Sequence, residues 1–202
     1  LGSRGLGDVY KRQHPNGAMP TTAPEYVVFE GPGMDAFAES PEWGGSLVIF
    51  PFMYYETYGD DSLIKKYYQH MRRYTDYLKT RADNGILSFG LGDWYDYGDF
   101  RAGFSRNTPV PLVATAHYYM TVMYLIKAAR MVGNEFDVRY YSSLAHDIMV
   151  AFNKRFLDSN TAQYGTGSQA SNALPIFLQM TQSTGDKGDY TCLLYTSPSP
   201  RD

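Results

Sequence analysis

The sequence predicts an all-α fold in which inner and outer helices form two concentric layers, an α/α toroid. Two observations carry that prediction. Helical segments alternate between apolar nearly all round and cleanly amphipathic, in the order buried, amphipathic, buried, amphipathic, buried. The same joint also recurs: Tyr58-Gly59-Asp60-Asp61 and Val132-Gly133-Asn134-Glu135 lie 74 residues apart, each with a glycine that closes one helix before a capping residue opens the next. A solenoid of helix pairs would share the alternation. The irregular unit and loop lengths favour the toroid.

The ends are set aside first. Residues 1–13 have no apolar period, and residues 191–202 follow an acidic turn and look equally foreign; both runs resemble translated sequencing-adapter read-through. The domain is therefore expected to occupy 14–190, with the native chain continuing past both ends. The start lacks the apolar core of a signal peptide, and no compartment is assigned. The single cysteine, Cys192, falls in the excluded tail, so disulfides and cysteine-based zinc sites are not expected. Net charge is −3 for the whole chain and −5 after trimming, which is no electrostatic footprint for nucleic acid or an anionic membrane. Aromatic residues make up 16% of the chain, with 19 tyrosines, a composition that serves sugar sites and helix–helix contacts alike.

Residues 14–40 are rich in Pro and Gly and read as an extended lead-in, with residues 26–29 a short apolar run. A helix over about 44–58 has no polar face before Glu56, which predicts burial on all sides, with Pro51 tolerated near its first turns. Residues 62–80 carry one stripe of Leu63, Ile64, Tyr67, Met71, Tyr74 and Leu78 against a charged face. Residues 108–132 form a second apolar helix, free of charge from Asn107 to Ile126. That length could cross a membrane, but two prolines, His117 and the threonines and tyrosines suit a protein interior better. Residues 135–157 are again amphipathic, with Phe136, Tyr140, Leu144, Ile148, Phe152 and Phe156 on one face. A third apolar segment starts at Ser168.

Between the second and third helical segments, residues 81–108 show no period. A long irregular stretch in a compact domain usually serves function. Its centre, residues 89–100, brings together Asp93, Asp96 and Asp99 with Trp94, Tyr95, Tyr97 and three glycines. Acids accept hydrogen bonds from hydroxyls, and aromatic faces pack on the C–H faces of a sugar. The toroid adds a placement: loops leading into inner helices share one end. Glu42-Trp43-Gly44, Asp93-Trp94 and residues 165–169 should therefore meet at one rim, where helix N-termini offer free N–H groups and positive dipole ends. Asp93, Trp43 and Trp94 are the candidate sugar-contacting residues. For each tryptophan a structural wedge between helices competes, and for Asp93 a loop cap. Asp96, Asp99 and Glu42 rank below them. The acids' spacing does not match a calcium loop, and no metal or cofactor is expected. His70, His117 and His146 read as packing or surface residues.

In order along the chain, Pro41-Glu42-Trp43-Gly44, Tyr58-Gly59-Asp60, residues 90–94, residues 114–119, Ala151-Phe152-Asn153 and Gly167-Ser168-Gln169 resemble the catalytic domain of bacterial α-L-rhamnosidases, glycoside hydrolase family 78. The resemblance runs from about residue 14 to 180. It implies a six-hairpin (α/α)6 toroid and metal-independent, inverting hydrolysis of terminal α-L-rhamnosides, with a rhamnose-containing glycoside or polysaccharide as partner. Inversion needs a general acid and a general base roughly 6.5–9.5 Å apart. The family's acid lies upstream of the matched region and its base beyond the Gly-Ser-Gln segment. No catalytic residue is therefore assigned, and the chain alone is expected to be inactive. Trp43 and Trp94 match tryptophans that wall the family's sugar site. Where the family usually has an acid after Trp-Gly, this chain has Gly45. Another six-hairpin glycosidase, a non-catalytic helical-repeat sugar binder and a lyase for acidic polysaccharide are the alternatives. The lyase needs more basic rim residues than Arg101 and Arg106.

Overall fold

The computed structural model describes residues 10, 13–22, 29, 31, 32, 34 and 36–181. The tail 191–202, most of 1–13 and residues 26–28 lie outside them. From residue 41 on, the described residues form six helices: α1 (Pro41–Gly44), α2 (Ser46–Tyr58), α3 (Ser62–Arg81), α4 (Val110–Met131), α5 (Glu135–Phe156) and α6 (Gln169–Phe177). Two small antiparallel hairpins interrupt them: β1 (Asp96–Gly98) with β2 (Phe100–Gly103), and β3 (Leu157–Asp158) with β4 (Gln163–Tyr164). The fold is all-α, part of a two-layer toroid, as the alternation predicts.

The helix ends form where the chain signals them. Gly59 and Gly133 both adopt the left-handed conformation, with φ of 70° and 74°, which costs little without a Cβ. Asp60 Oδ1 accepts from Ser62 N at 2.9 Å to start α3. Asn134 caps α5 reciprocally: its Oδ1 accepts from Asp137 N at 3.1 Å and its Nδ2 donates to Asp137 Oδ2 at 2.8 Å. Ser168 caps α6 through Ser171 N at 3.2 Å.

The inner helix α4 packs against α1, α2, α3, α5 and α6. It buries Leu112, Val113, Tyr118, Val122, Leu125 and Ile126, so its apolar surface faces protein nearly all round. No helix among the described residues is long and apolar enough to cross a membrane. The outer helix α3 buries the whole stripe read from its sequence. In α5 the observed line differs. Asp137, Tyr141, Ala145, Ile148, Phe152 and Phe156 are buried, whereas Phe136 is 65% exposed. A run of strict four-residue steps advances about 40° per step around a 3.6-residue helix, so a six-member line cannot stay on one face. The tertiary partners choose the face. Asp137 takes the Tyr68 hydroxyl at 2.6 Å and lies 3.5 Å from Arg72 Nε.

The apolar helix α2 also departs from expectation. Leu47, Val48, Pro51 and Phe52 are buried, but Phe50 and Met53 are 48% and 53% exposed. Pro51 lies in the body of α2, not at its start. Its ring removes the N–H that would pair with the Leu47 carbonyl, and the Tyr10 hydroxyl donates to that carbonyl instead, at 2.9 Å. Tyr10 is buried and stacks on Tyr67, and Gln13 Nε2 donates to the His70 carbonyl at 3.0 Å.

Candidate functional site

The three loops predicted to share a rim do so, at the N-terminal ends of α1, α4 and α6. Glu42, on the single turn of α1, accepts from Gly92 N at 3.0 Å and Leu91 N at 3.3 Å, joining the first loop to the second. Thr108, the last residue of the second loop before Pro109, meets Ser168 hydroxyl to hydroxyl at 2.8 Å, and Thr166 donates to the Asn107 carbonyl. The second loop is thereby tied to the third. A further tie fixes its base: Leu87 N donates to Thr115 Oγ1 on α4 at 3.0 Å.

Trp43 and Trp94 both lie on this rim, 39% and 36% exposed. Trp94 is held edge-to-face by Phe37 and Phe104, with centroids 5.1 and 5.3 Å away, and by Tyr95 at 6.0 Å. It is thus wedged by other rings and still presents open surface. The turn that aims it is tight. Trp94 N donates to Gly92 O at 2.9 Å, and Tyr95 adopts φ of 71°, a left-handed conformation costly for a residue with a Cβ. Under α1, Gly44 rests on Tyr74, and a Cβ at position 44 would stand 2.2 Å from the Tyr74 hydroxyl oxygen. At position 45 the joint between α1 and α2 is carried by backbone: Gly45 N donates to Pro41 O at 3.0 Å and its carbonyl accepts from Val48 N at 3.0 Å.

Residues 81–108 are less irregular than the sequence suggests, because β1 and β2 pair within them. Three- and four-residue strands with a bulge between Asp96 and Gly98 are too short to show a period. The hairpin separates the loop's acids. Asp96 is buried and accepts from Arg106 N at 2.8 Å, from Asn107 N and from Asn107 Nδ2 at 2.8 Å. Burial pushes its carboxyl up, but these bonds outweigh it and hold the group below the usual carboxylate range. Asp99 is exposed between the strands. Asp93 is half-buried and accepts from Thr108 Oγ1 at 3.2 Å. Burial raises its pKa; the Thr108 bond opposes that and the Asp96 charge adds to it. Through Thr108 and Ser168, Asp93 joins a run of hydroxyls that ends at Ser171, 2.8 Å from Ser168. His117 Nδ1 lies 2.9 Å from the Val113 carbonyl within α4. Among the described residues no group of three His, Cys, Asp or Glu could hold a metal ion.

Sequence reasoning placed Asp93, both tryptophans and the segment 165–169 at this rim, but ranked Glu42 low and missed Thr108. The available signal was Gly90 and Gly92, because two glycines around one residue mark backbone closing on a side chain. A Cβ on Gly90, at φ of 131°, would stand 2.5 Å from Glu42 Oε2.

The fold and the rim define an α/α-toroid piece that presents exposed indoles and a half-buried acid at converging helix N-termini. Residues 2–192 match the family of the bacterial alpha-L-rhamnosidase 6 hairpin glycosidase domain, and the chain belongs to that family. An alpha-L-rhamnosidase of Formosa agariphila is 29% identical over 121 residues, covering 57% of this chain and 12% of the relative. The chain thus spans about an eighth of that relative's length. The structure of alpha-L-rhamnosidase from Dictyoglumus thermophilum superposes with a TM-score of 0.80 at 28% identity, over 95% of this chain and 21% of that one. A Streptomyces avermitilis alpha-L-rhamnosidase complexed with L-rhamnose superposes with a TM-score of 0.79 at 22% identity, over 95% and 17%.

Proposed function

We propose that this chain is part of an enzyme that hydrolyses terminal α-L-rhamnosides, and that it supplies one wall of the site for the departing sugar. The observation that carries this reading is the convergence of three inner-helix loops on one rim, with both tryptophans of the chain exposed there. Trp43 and Trp94 give the C–H faces and the 6-methyl of a rhamnosyl unit apolar surfaces to pack on. Asp93 accepts from a sugar hydroxyl. Its raised pKa marks a partly desolvated carboxylate, and a hydroxyl donor offsets that cost. Membership in the rhamnosidase family supports the choice of sugar.

The hydrolysis proceeds with inversion, using a general acid and a general base from outside this chain, so residues 1–202 alone are inactive. Domain limits of 14–190 belong to the same proposal. The test is to recover the flanking reading frame, express the completed domain and assay p-nitrophenyl α-L-rhamnoside beside a panel of other glycosides. NMR of the first sugar released reports its anomeric form, and β-L-rhamnose is expected. Cleavage of another glycoside in preference would overturn the choice of sugar. A folded, complete domain that cleaves nothing in the panel would leave a sugar-binding module. Trp43→Ala and Trp94→Ala should each raise KM several-fold to roughly tenfold, the loss of an aromatic contact of about 0.5–1.5 kcal/mol.

A further inference from the structure

We propose that Glu42 is a positioning residue that sets the distance and angle between the two tryptophan walls; its consequence for sugar binding rests on the function proposed above. Glu42 immediately precedes Trp43 on the one turn of α1, so its backbone moves with the first wall. Its carboxylate is embraced by the second. Oε1 accepts from Gly92 N at 3.0 Å; Oε2 accepts from Leu91 N at 3.3 Å and from the Ser40 hydroxyl. Trp94 follows two residues after Gly92 in a turn closed onto the Gly92 carbonyl, so the strut is one short, hydrogen-bonded step from the second indole.

The backbone around the strut is shaped for it. Gly90, at φ of 131°, approaches so closely that a Cβ would lie 2.5 and 2.9 Å from the two carboxylate oxygens. Leu91 is buried, so its amide needs a partner that solvent cannot readily supply. Three donors on one side chain also specify glutamate. A carboxylate has two acceptor oxygens and no hydrogen, whereas a glutamine would turn its own N–H groups toward a backbone N–H. Such anionic bonds are stronger than neutral ones, and a buried donor left unpaired carries a further penalty. Removing the charge therefore releases residues 90–94 from α1 while leaving the packing of α3, α4 and α5 untouched.

The experiment uses the full chain, with Glu42→Gln and the milder Ser40→Ala, each also made with Trp43→Phe so that Trp94 is the only indole. Emission maximum and acrylamide quenching report the seating of Trp94, circular dichroism the helices, and NMR titration with L-rhamnose the binding. The strut predicts a red-shifted, more quenchable Trp94 in Glu42→Gln, the same change at smaller size in Ser40→Ala, and helical melting held within a few degrees. With Trp43 present, affinity for L-rhamnose should fall roughly tenfold, as expected for lost charge-assisted bonds. Unchanged Trp94 emission and quenching in a folded Glu42→Gln chain overturns the proposal. If Glu42→Gln loses its helical signal, Ser40→Ala decides by the same criterion. The L-rhamnose titration is repeated on the completed domain, since this chain supplies one wall of the site; a completed parent that does not bind overturns the assigned sugar, while the Trp94 signals still judge the strut.

Discussion

Gly44 has no room for even one added methyl group, since the Tyr74 hydroxyl oxygen occupies the space beneath it. Gly44→Ala should lift α1 off α3 and lower stability by about 1–3 kcal/mol, the usual cost of overpacking, read from urea unfolding. Tyr95 is the opposite case. Its left-handed φ is strained, so Tyr95→Gly should relieve roughly 1 kcal/mol in the folded state, partly cancelled by the added freedom of the unfolded chain. Asp96 gives a pH signature. Its folded pKa is depressed, so the folded state favours the ionised form. That stabilisation is complete above the unfolded carboxyl range near ~3.9 and is lost as pH falls through the lower folded value. Asp96→Asn should be clearly less stable than the parent at pH 7, and the gap in urea midpoint should narrow as the pH is taken below 4. A gap independent of pH would mean the bonds from residues 106 and 107 do not depend on the charge.

Among the elements, α3 was legible because its burial repeats at helical period over five turns, α4 because it runs uncharged and apolar nearly all round, and the two joints because Gly59 and Gly133 each end a helix in the left-handed state. The hairpin of β1 and β2 was not. Its register is fixed by a bulge and by Asp96, whose donors lie ten and eleven residues on. The rim itself followed from topology, since inner helices of one toroid begin at one end. The role of Glu42 did not, because its partners are backbone amides about fifty residues away, which carry no side-chain signal. The burial of Asp137 was hidden for a related reason: an acid on an amphipathic helix reads as solvated until Tyr68 and Arg72 are seen against it. The α5 cap offers a test at this scale. Asn134→Ala removes the acceptor for Asp137 N and one donor to its carboxylate, and should cost about 1–2 kcal/mol in denaturant unfolding.

On the scale of the whole molecule, the apolar face of α2 is the conspicuous surface. Phe50 and Met53 are half exposed, and Tyr54, Tyr55 and Tyr58 extend the face along the helix. A surface of this kind promotes self-association, so the isolated chain should sediment as a concentration-dependent mixture. Phe50→Glu with Met53→Lys should shift it toward a single slow species without loss of helical signal. A parent chain that is monodisperse across the same concentrations would show that this face is not sticky.

The central position of α4 has a consequence in time as well as in space. Its contacts with α5 cross only the short turn at Gly133, whereas its contacts with α1 span more than sixty residues of chain. Local pairs close with little loss of entropy and form first, so the α4–α5 hairpin should be the folding nucleus, with substitutions at Leu125 and Ile148 slowing refolding. The rim waits on the longest closures and is joined by few bonds. It is assembled last and opens first, so in hydrogen exchange the amide of Gly92 should surrender its proton well before that of Leu125.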